Sequence, residues 1–215
     1  MPRSFEDFPN LRVFDHPLIQ QKLTEARDHR TPPAAFRRLL NEIAGLMTYG
    51  ACRHLEVASV TVQTPLERTD GVRLARPVTL VPLLRAGIGM TDGILALIPD
   101  ARVGHFGVYR DESTLEPVQY YAKFPPDIAG SHVLVVDPML ATGGSAIAAI
   151  RELKRRECHD VTLICLVVAP EGVRRMHEAH GDVVIFAASL DRQLNERGYI
   201  LPGLGDAGDR IFGTH

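Results

Sequence analysis

The apolar positions of this chain fall into two regimes. Between residues 31 and 50 they follow a helical period: Phe36, Leu39, Leu40, Ile43, Leu46 and Met47 line one face. Thr31 and Pro32 supply an N-cap and a first-turn proline for that helix. The first fifty residues as a whole read as helical. Residues 57–65 alternate in part, as a strand does. From there the pattern changes to short β-rich runs separated by turns or amphipathic segments. Residues 78–87 (VTLVPLLRAG) predict a strand ending in Arg-Ala-Gly, and residues 89–99 a helix. Residues 103–109 and 131–137 predict two more strands, the second nearly all apolar, as a strand buried on both faces should be. Residues 145–156 are helical in pattern, with Ile147, Ile150 and Leu153 on one side. VTLICLVV at 161–168, then EGVRRMHEAH, then DVVIFAA repeat the alternation. Strand–helix–strand succession of this kind predicts an α/β fold, a mostly parallel sheet with helices on both faces. Ligands of such sheets bind beyond the carboxyl ends of the strands.

Composition narrows the class. The chain has 215 residues, 45% hydrophobic and 23% charged, which suits a single domain spanning 1–215 with one sizeable core. The formal net charge of −2 gives no basic footprint, so no nucleic-acid partner is expected. Cys52, Cys158 and Cys165 share no ligand spacing, and Cys165 lies inside an apolar run as a small buried hydrophobe. The start, MPRSFEDFPN, has no apolar core of a secretory signal. Apolar runs of about ten residues are too short to span a membrane, which takes roughly 20. A cytoplasmic location with no membrane partner is the expectation.

The loop DPMLATGGS, residues 137–145, joins the most apolar strand to a helix. Gly143 and Gly144 let backbone approach a ligand closely. The hydroxyls of Thr142 and Ser145 and the N–H groups of the helix start converge on one point, an anion site. Asp137 would repel a phosphate and suits neutral ribose hydroxyls instead. Carboxylate and nest together describe a ribose-phosphate site. The loop lacks the lysine of GxxxxGK[ST] and the glycines of GxGxxG.

DPMLATGGSA resembles the phosphoribosyl-diphosphate loop of the type I phosphoribosyltransferases, in the form of the uracil phosphoribosyltransferase family. Most type I members carry two adjacent acids where this sequence has Asp137 and Pro138, a departure typical of the uracil-specific branch. The tail YILPGLGDAGDRIFGT (residues 199–214) is similar to that family's uracil-binding loop almost throughout. The resemblance covers nearly the whole chain. It implies transfer of phosphoribose from 5-phosphoribosyl 1-diphosphate to uracil, giving UMP and diphosphate. It implies that Asp137, Pro138, Met139, Leu140, Ala141, Thr142, Gly143, Gly144 and Ser145 hold the ribose 5-phosphate. Arg85 and Arg110 would take the diphosphate, with a non-proline cis peptide between Leu84 and Arg85. Ile200, Gly205 and Ala207 would read uracil through main-chain groups. Asp206 would stand near both substrates, acting through magnesium or water. Magnesium would be carried mainly by diphosphate and water rather than by direct protein ligands. A helical part at about 15–50, a flexible arm at about 109–125 reaching a partner subunit, and a hood at about 190–215 complete the expected organisation. Relatives form homodimers or homotetramers, and some are activated by GTP, for which no sequence feature here locates a site.

The tail carries Gly198, Gly203, Gly205, Gly208 and Gly213, which argue against a regular helix and for a tightly turned loop. Its apolar residues Tyr199, Ile200, Leu201, Leu204, Ile211 and Phe212 predict that this loop is packed. Orotate would call for a cation near the base, and a purine for an aromatic wall; the tail suits neither as well. An RNA-binding regulator on the same fold would need a basic face, and the one dense basic run, LKRRE at 153–157, reads as a solvated helix face.

Overall fold

The computed structural model describes residues 2–110 and 117–214, with the side chains of Arg110 and Pro117 outside the described set. In chain order the strands are β1 (Arg3–Phe5), β2 (Phe8–Val13), β3 (Val57–Gln63), β4 (Arg68–Leu74), β5 (Val78–Leu84), β6 (Arg102–Val103), β7 (His105–Arg110), β8 (Pro117–Lys123), β9 (His132–Val136), β10 (Met139–Leu140), β11 (Val161–Val168), β12 (Val184–Leu190), β13 (Gln193–Leu194) and β14 (Ile200–Leu201). The helices are α1 (Pro17–Arg27), α2 (Pro33–Ala51), α3 (Thr91–Leu95), α4 (Gly144–Arg155), α5 (Pro170–His180) and α6 (Ala207–Phe212).

The main sheet runs β1-β2-β12-β11-β9-β5-β7-β8. Its six inner strands pair in parallel, and β1 and β8 close the two edges in antiparallel. Side-chain alternation along β9 divides the core. Leu134 and Val136 point toward α1, α2 and α3, whereas Val133 and Val135 point toward α4 and α5. Both faces are therefore covered, which is why β5, β9 and β11 are nearly all apolar and carry one buried polar residue each, Thr79, His132 and Thr162. Among the described residues no helix is long and apolar enough to cross a membrane.

Four expectations change. The first thirteen residues are not helical: β2 joins the sheet beside β12, with Phe14 N–H donating to the Ala187 carbonyl at 2.8 Å. Six residues are too few for a clear period, and pairing with β12 decides the matter. Thr31 does not cap α2. Its hydroxyl donates to the Glu25 carbonyl, and the helix starts at Pro33 because Pro33 holds Pro32 extended, with ψ 158°. Residues 89–99 form a 3₁₀ turn at Ala86–Met90 followed by the short α3. Here Gly93 lies against α2 so closely that a Cβ would stand 1.9 Å from the Asn41 carbonyl. The tail does hold one short helix, α6, despite Gly208. The remaining tail glycines have positive φ and make the turns around it.

Candidate active site

The loop after β9 is built on neighbouring strands. Pro138 carbonyl accepts from Leu166 and Val167 N–H, and β10 pairs with the end of β11. Gly143, at φ 82°, turns the chain into α4, whose first N–H groups have no intrahelical acceptors. Helix α5 presses this loop into shape at two points. Arg175 donates to the Thr142 carbonyl at 2.9 Å, and Gly172 at the start of α5 lies against the backbone of Leu140 and Ala141. A Cβ at Gly172 would stand 2.3 Å from the Ala141 carbonyl oxygen. In the role that the resemblance implies for this loop, Gly172→Ala is expected to raise KM for phosphoribosyl diphosphate and cut kcat/KM roughly 10²-fold, since a shift near 1 Å in a positioning loop costs about that much. Steady-state kinetics check it, with unchanged KM as the contrary result.

Asp137 stands at the carboxyl end of β9, half-buried, with its Oδ1 accepting from Met139 N–H at 3.4 Å. Burial pushes its carboxyl up to about 7, and that one long hydrogen bond offsets little of the effect. A carboxylate so poorly supplied with donors wants hydroxyl protons. Behind it, burial and then the charge of Asp137 raise the Cys165 thiol well above its ordinary value, which keeps it inert.

The strand-end loop at 84–90 touches both halves of the site. The Leu84–Arg85 peptide is cis, as expected. A Cβ at Gly87 would stand 2.5 Å from the Val136 carbonyl, so this loop is packed on the end of β9, one residue before Asp137. On its other side, Gly89 lies against Ile211 of α6. Arg85 is more than half exposed, and its Nη2 is 3.5 Å from Asp209 Oδ1 in α6. An exposed pair at that distance is weak, so the guanidinium is available to an anion at this strand end.

The tail is fastened over this loop. Arg27 makes a paired salt bridge to Asp191 at 2.6 and 2.8 Å, and the other oxygen contacts of Asp191 take Ser189 Oγ and Gly203 N–H. Glu171 accepts from Leu194 N–H, and Arg210 donates to Leu204 and Asp28 carbonyls while lying over the Phe36 ring. Asp206 caps α6, its Oδ1 accepting from Asp209 N–H at 3.0 Å. Gly205 is exposed at φ 71°, and Ala207 opens α6; among the described residues the N–H groups of both lack an acceptor in the chain. Ile200 is buried, with its carbonyl against Gly203. Leu204 and Ile211 are buried too, whereas Tyr199 and Phe212 are over 40% exposed, so only part of the tail's apolar set is packed.

The structure thus brings together Arg85, the Asp137–Ser145 loop and Asp206. The arm residues 111–116 and the side chain of Arg110 lie outside the described residues. Sequence reading missed Asp209, Asp191, Arg27, Glu171 and Gly172. Asp209, three residues after a capping Asp, carried a faint capping signal; the others are brought in only by tertiary structure.

A mostly parallel sheet covered by helices on both faces, with a glycine-turned loop leading from its central strand β9 into α4, is the fold of the type I phosphoribosyltransferases. A Leishmania donovani adenine phosphoribosyltransferase shares the fold, with a TM-score of 0.59 at 14% identity, covering 90% of this chain and 89% of that one. The family model for uracil phosphoribosyltransferase matches residues 13–214, and the chain belongs to that family. It is 56% identical to the uracil phosphoribosyltransferase of Staphylococcus epidermidis over 205 residues, covering 95% of this chain and 98% of the relative. The structure of the AQ2163 protein from Aquifex aeolicus superposes with a TM-score of 0.90 at 37% identity, covering 95% of this chain and 98% of that one.

Proposed function

We infer that this chain transfers the 5-phosphoribosyl group of phosphoribosyl diphosphate to uracil, forming UMP and releasing diphosphate. The observation that carries the reading is the contact of one loop, residues 84–90, with both the end of β9 and the tail helix α6. That loop makes a sugar-phosphate pocket and a base pocket adjacent.

In this reading Asp137 accepts from the two ribose hydroxyls and holds the sugar while its anomeric carbon loses the diphosphate. The Ala141–Ser145 segment takes the 5-phosphate on backbone N–H groups and hydroxyls. Arg85 leaves Asp209 and meets the charge that grows on the departing diphosphate; the resemblance assigns Arg110 to the same group. The Gly205 and Ala207 N–H groups face the uracil carbonyls, and a main-chain carbonyl of the tail takes the ring N–H. Asp206 and Asp209 offer hard oxygen donors beside Arg85, which suits a magnesium ion held through water and diphosphate oxygens. When bound, that ion would neutralise diphosphate charge.

A homo-oligomer fits the surface. The hairpin β3–β4 stands apart from the main sheet with Val57, Val62, Leu66, Val72 and Leu74 exposed, and an isolated two-stranded hairpin is marginal in water.

Purified protein given phosphoribosyl diphosphate, magnesium and a panel of free bases is expected to consume uracil. Cytosine, which reverses a donor and an acceptor, is expected to lose by a factor on the order of 10⁴. Consumption of a purine or of orotate in place of uracil would overturn the reading.

A further inference from the structure

At the opposite end of β9 from Asp137, three ligand-type side chains converge without a role in ribosyl transfer. His132 opens the strand, Asp160 precedes β11, and His54 ends the 3₁₀ turn after α2. One ligand atom from each lies within 4.8 Å of the others, and among the described residues this is the one such group. Five residues of strand, at about 3.3 Å each, separate it from Asp137 by roughly 16 Å.

The His132 ring is 98% buried, and among the described residues neither ring nitrogen has a well-directed hydrogen bond. Its Nδ1 is 2.8 Å from Asp160 Oδ1, close enough for a bond but off the N–H axis. Such a contact, close yet misdirected, is how two ligands of a common cation stand. The His54 ring meets the His132 ring edge-on, with centroids 4.9 Å apart. A small cavity of about 10 Å³, lined by Leu55, Glu56, Leu74, Arg76 and His132, lies against the His132 side of the group and has room for about one ion or water. Arg76 holds the other oxygen, Asp160 Oδ2, and leaves Oδ1 to face the histidine.

We propose that His54, His132 and Asp160 form a site for one divalent transition-metal ion. Two imidazoles and a carboxylate match zinc, which takes nitrogen at about 2.0–2.1 Å and oxygen at about 2.0–2.2 Å. Four-coordinate ligands at those lengths stand about 3.4 Å apart, so the His132–Asp160 pair, now at 2.8 Å, must open by roughly half an ångström while His54 closes in by an ångström or so. The exposed His54, at the end of its turn, can supply that movement. Glu56 on the cavity wall or a water would complete the shell. Because His54 and Glu56 flank the start of β3 while His132 and Asp160 belong to the main sheet, the ion would pin the exposed hairpin to the domain. Its effect is on stability and on the hairpin, not on turnover.

The test uses full-length protein without a histidine tag, freed of metal by chelator, titrated with zinc chloride and in parallel with cobalt(II). One zinc per chain should bind, cobalt should develop the intense visible absorption of a four-coordinate site, and a hundredfold excess over Kd should raise Tm by roughly 5–10 °C. His54→Ala, which removes an exposed side chain and leaves the core alone, should weaken zinc binding at least tenfold and abolish the Tm rise. His132→Gln should do the same. UMP formation at saturating magnesium should be unchanged by zinc. Absence of saturable binding to the wild-type protein, or a His54→Ala protein that binds zinc as well as wild type does, would refute the site.

Discussion

Asp137→Asn is expected to lose activity and gain stability at once. The carboxylate loses little by replacement in the free protein, because burial opposes its charge and one 3.4 Å hydrogen bond from Met139 supports it. Its carboxyl titrates near 7 when folded and near 3.8 when unfolded. Below pH 4 both states hold the proton, and the group costs the fold nothing. As pH rises from about 4 to 7 the unfolded chain ionises first and is favoured, so stability is lost across that window and stays lost above it. The rise corresponds to at most about 4 kcal/mol, at about 1.36 kcal/mol per pH unit. Half of that ceiling would lift Tm of a chain this long by roughly 5 °C. Asparagine escapes the penalty. Thermal unfolding at pH 8 should therefore show the variant above wild type, and unfolding at pH 4 should show the two together.

Turnover should move the other way. Each ribose hydroxyl donated to a carboxylate is worth about 1.5–3 kcal/mol, so losing two charge-assisted bonds predicts a fall in kcat/KM of roughly 10²–10⁴. Wild-type kcat/KM should decline below about pH 7 as Asp137 takes up its proton, and a Glu variant, longer by one methylene, should not restore the rate. An Asn variant that is inactive but no more stable at pH 8 would mean that Asp137 is better solvated than its burial implies. One that keeps its rate would remove it from the ribose.

The architecture was legible because the sheet is double-faced. β9 and β11 are buried along their whole length, and Gly143 marks the positive-φ turn from the β9 loop into α4. The tail's tight turns were legible in its glycines, of which Gly198, Gly203, Gly205 and Gly213 take positive φ. What stayed hidden was the bracing. Nothing in the local pattern around Arg27 marks it as the partner of Asp191, 164 residues away. Gly172 looks like any glycine in a helix start until Ala141 is seen beneath it. Strand β2 was missed for a related reason: its extended form depends on β12, which completes it from the far end of the chain.

That bracing bears the second large effect. Asp191 is 2% exposed, and three kinds of donor converge on it: the Arg27 guanidinium, the Ser189 hydroxyl and the Gly203 N–H. Burial alone would raise its carboxyl, but those donors outweigh it and hold the group below the ordinary value. The stability it contributes is present above the unfolded value and is lost as pH falls through the lower, folded one. Asp191→Ala leaves a largely buried guanidinium without its anion and the Gly203 N–H without an acceptor, a combination expected to cost about 3–5 kcal/mol. Because Arg27 also donates to the Gly203 carbonyl, the turn that carries the chain from β14 toward Gly205 loses both of its anchors to α1 and β12. KM for uracil should then rise at least tenfold, while KM for phosphoribosyl diphosphate, which the proposed function assigns to the β9–α4 loop, should change little. Asp191→Asn, which keeps an acceptor for Gly203 but not the charge, should recover part of the uracil affinity and less of the stability. Equal rises in both KM values would mean that the tail and the β9 loop loosen as one unit, and a variant with unaltered uracil KM would detach the Gly203 turn from base recognition.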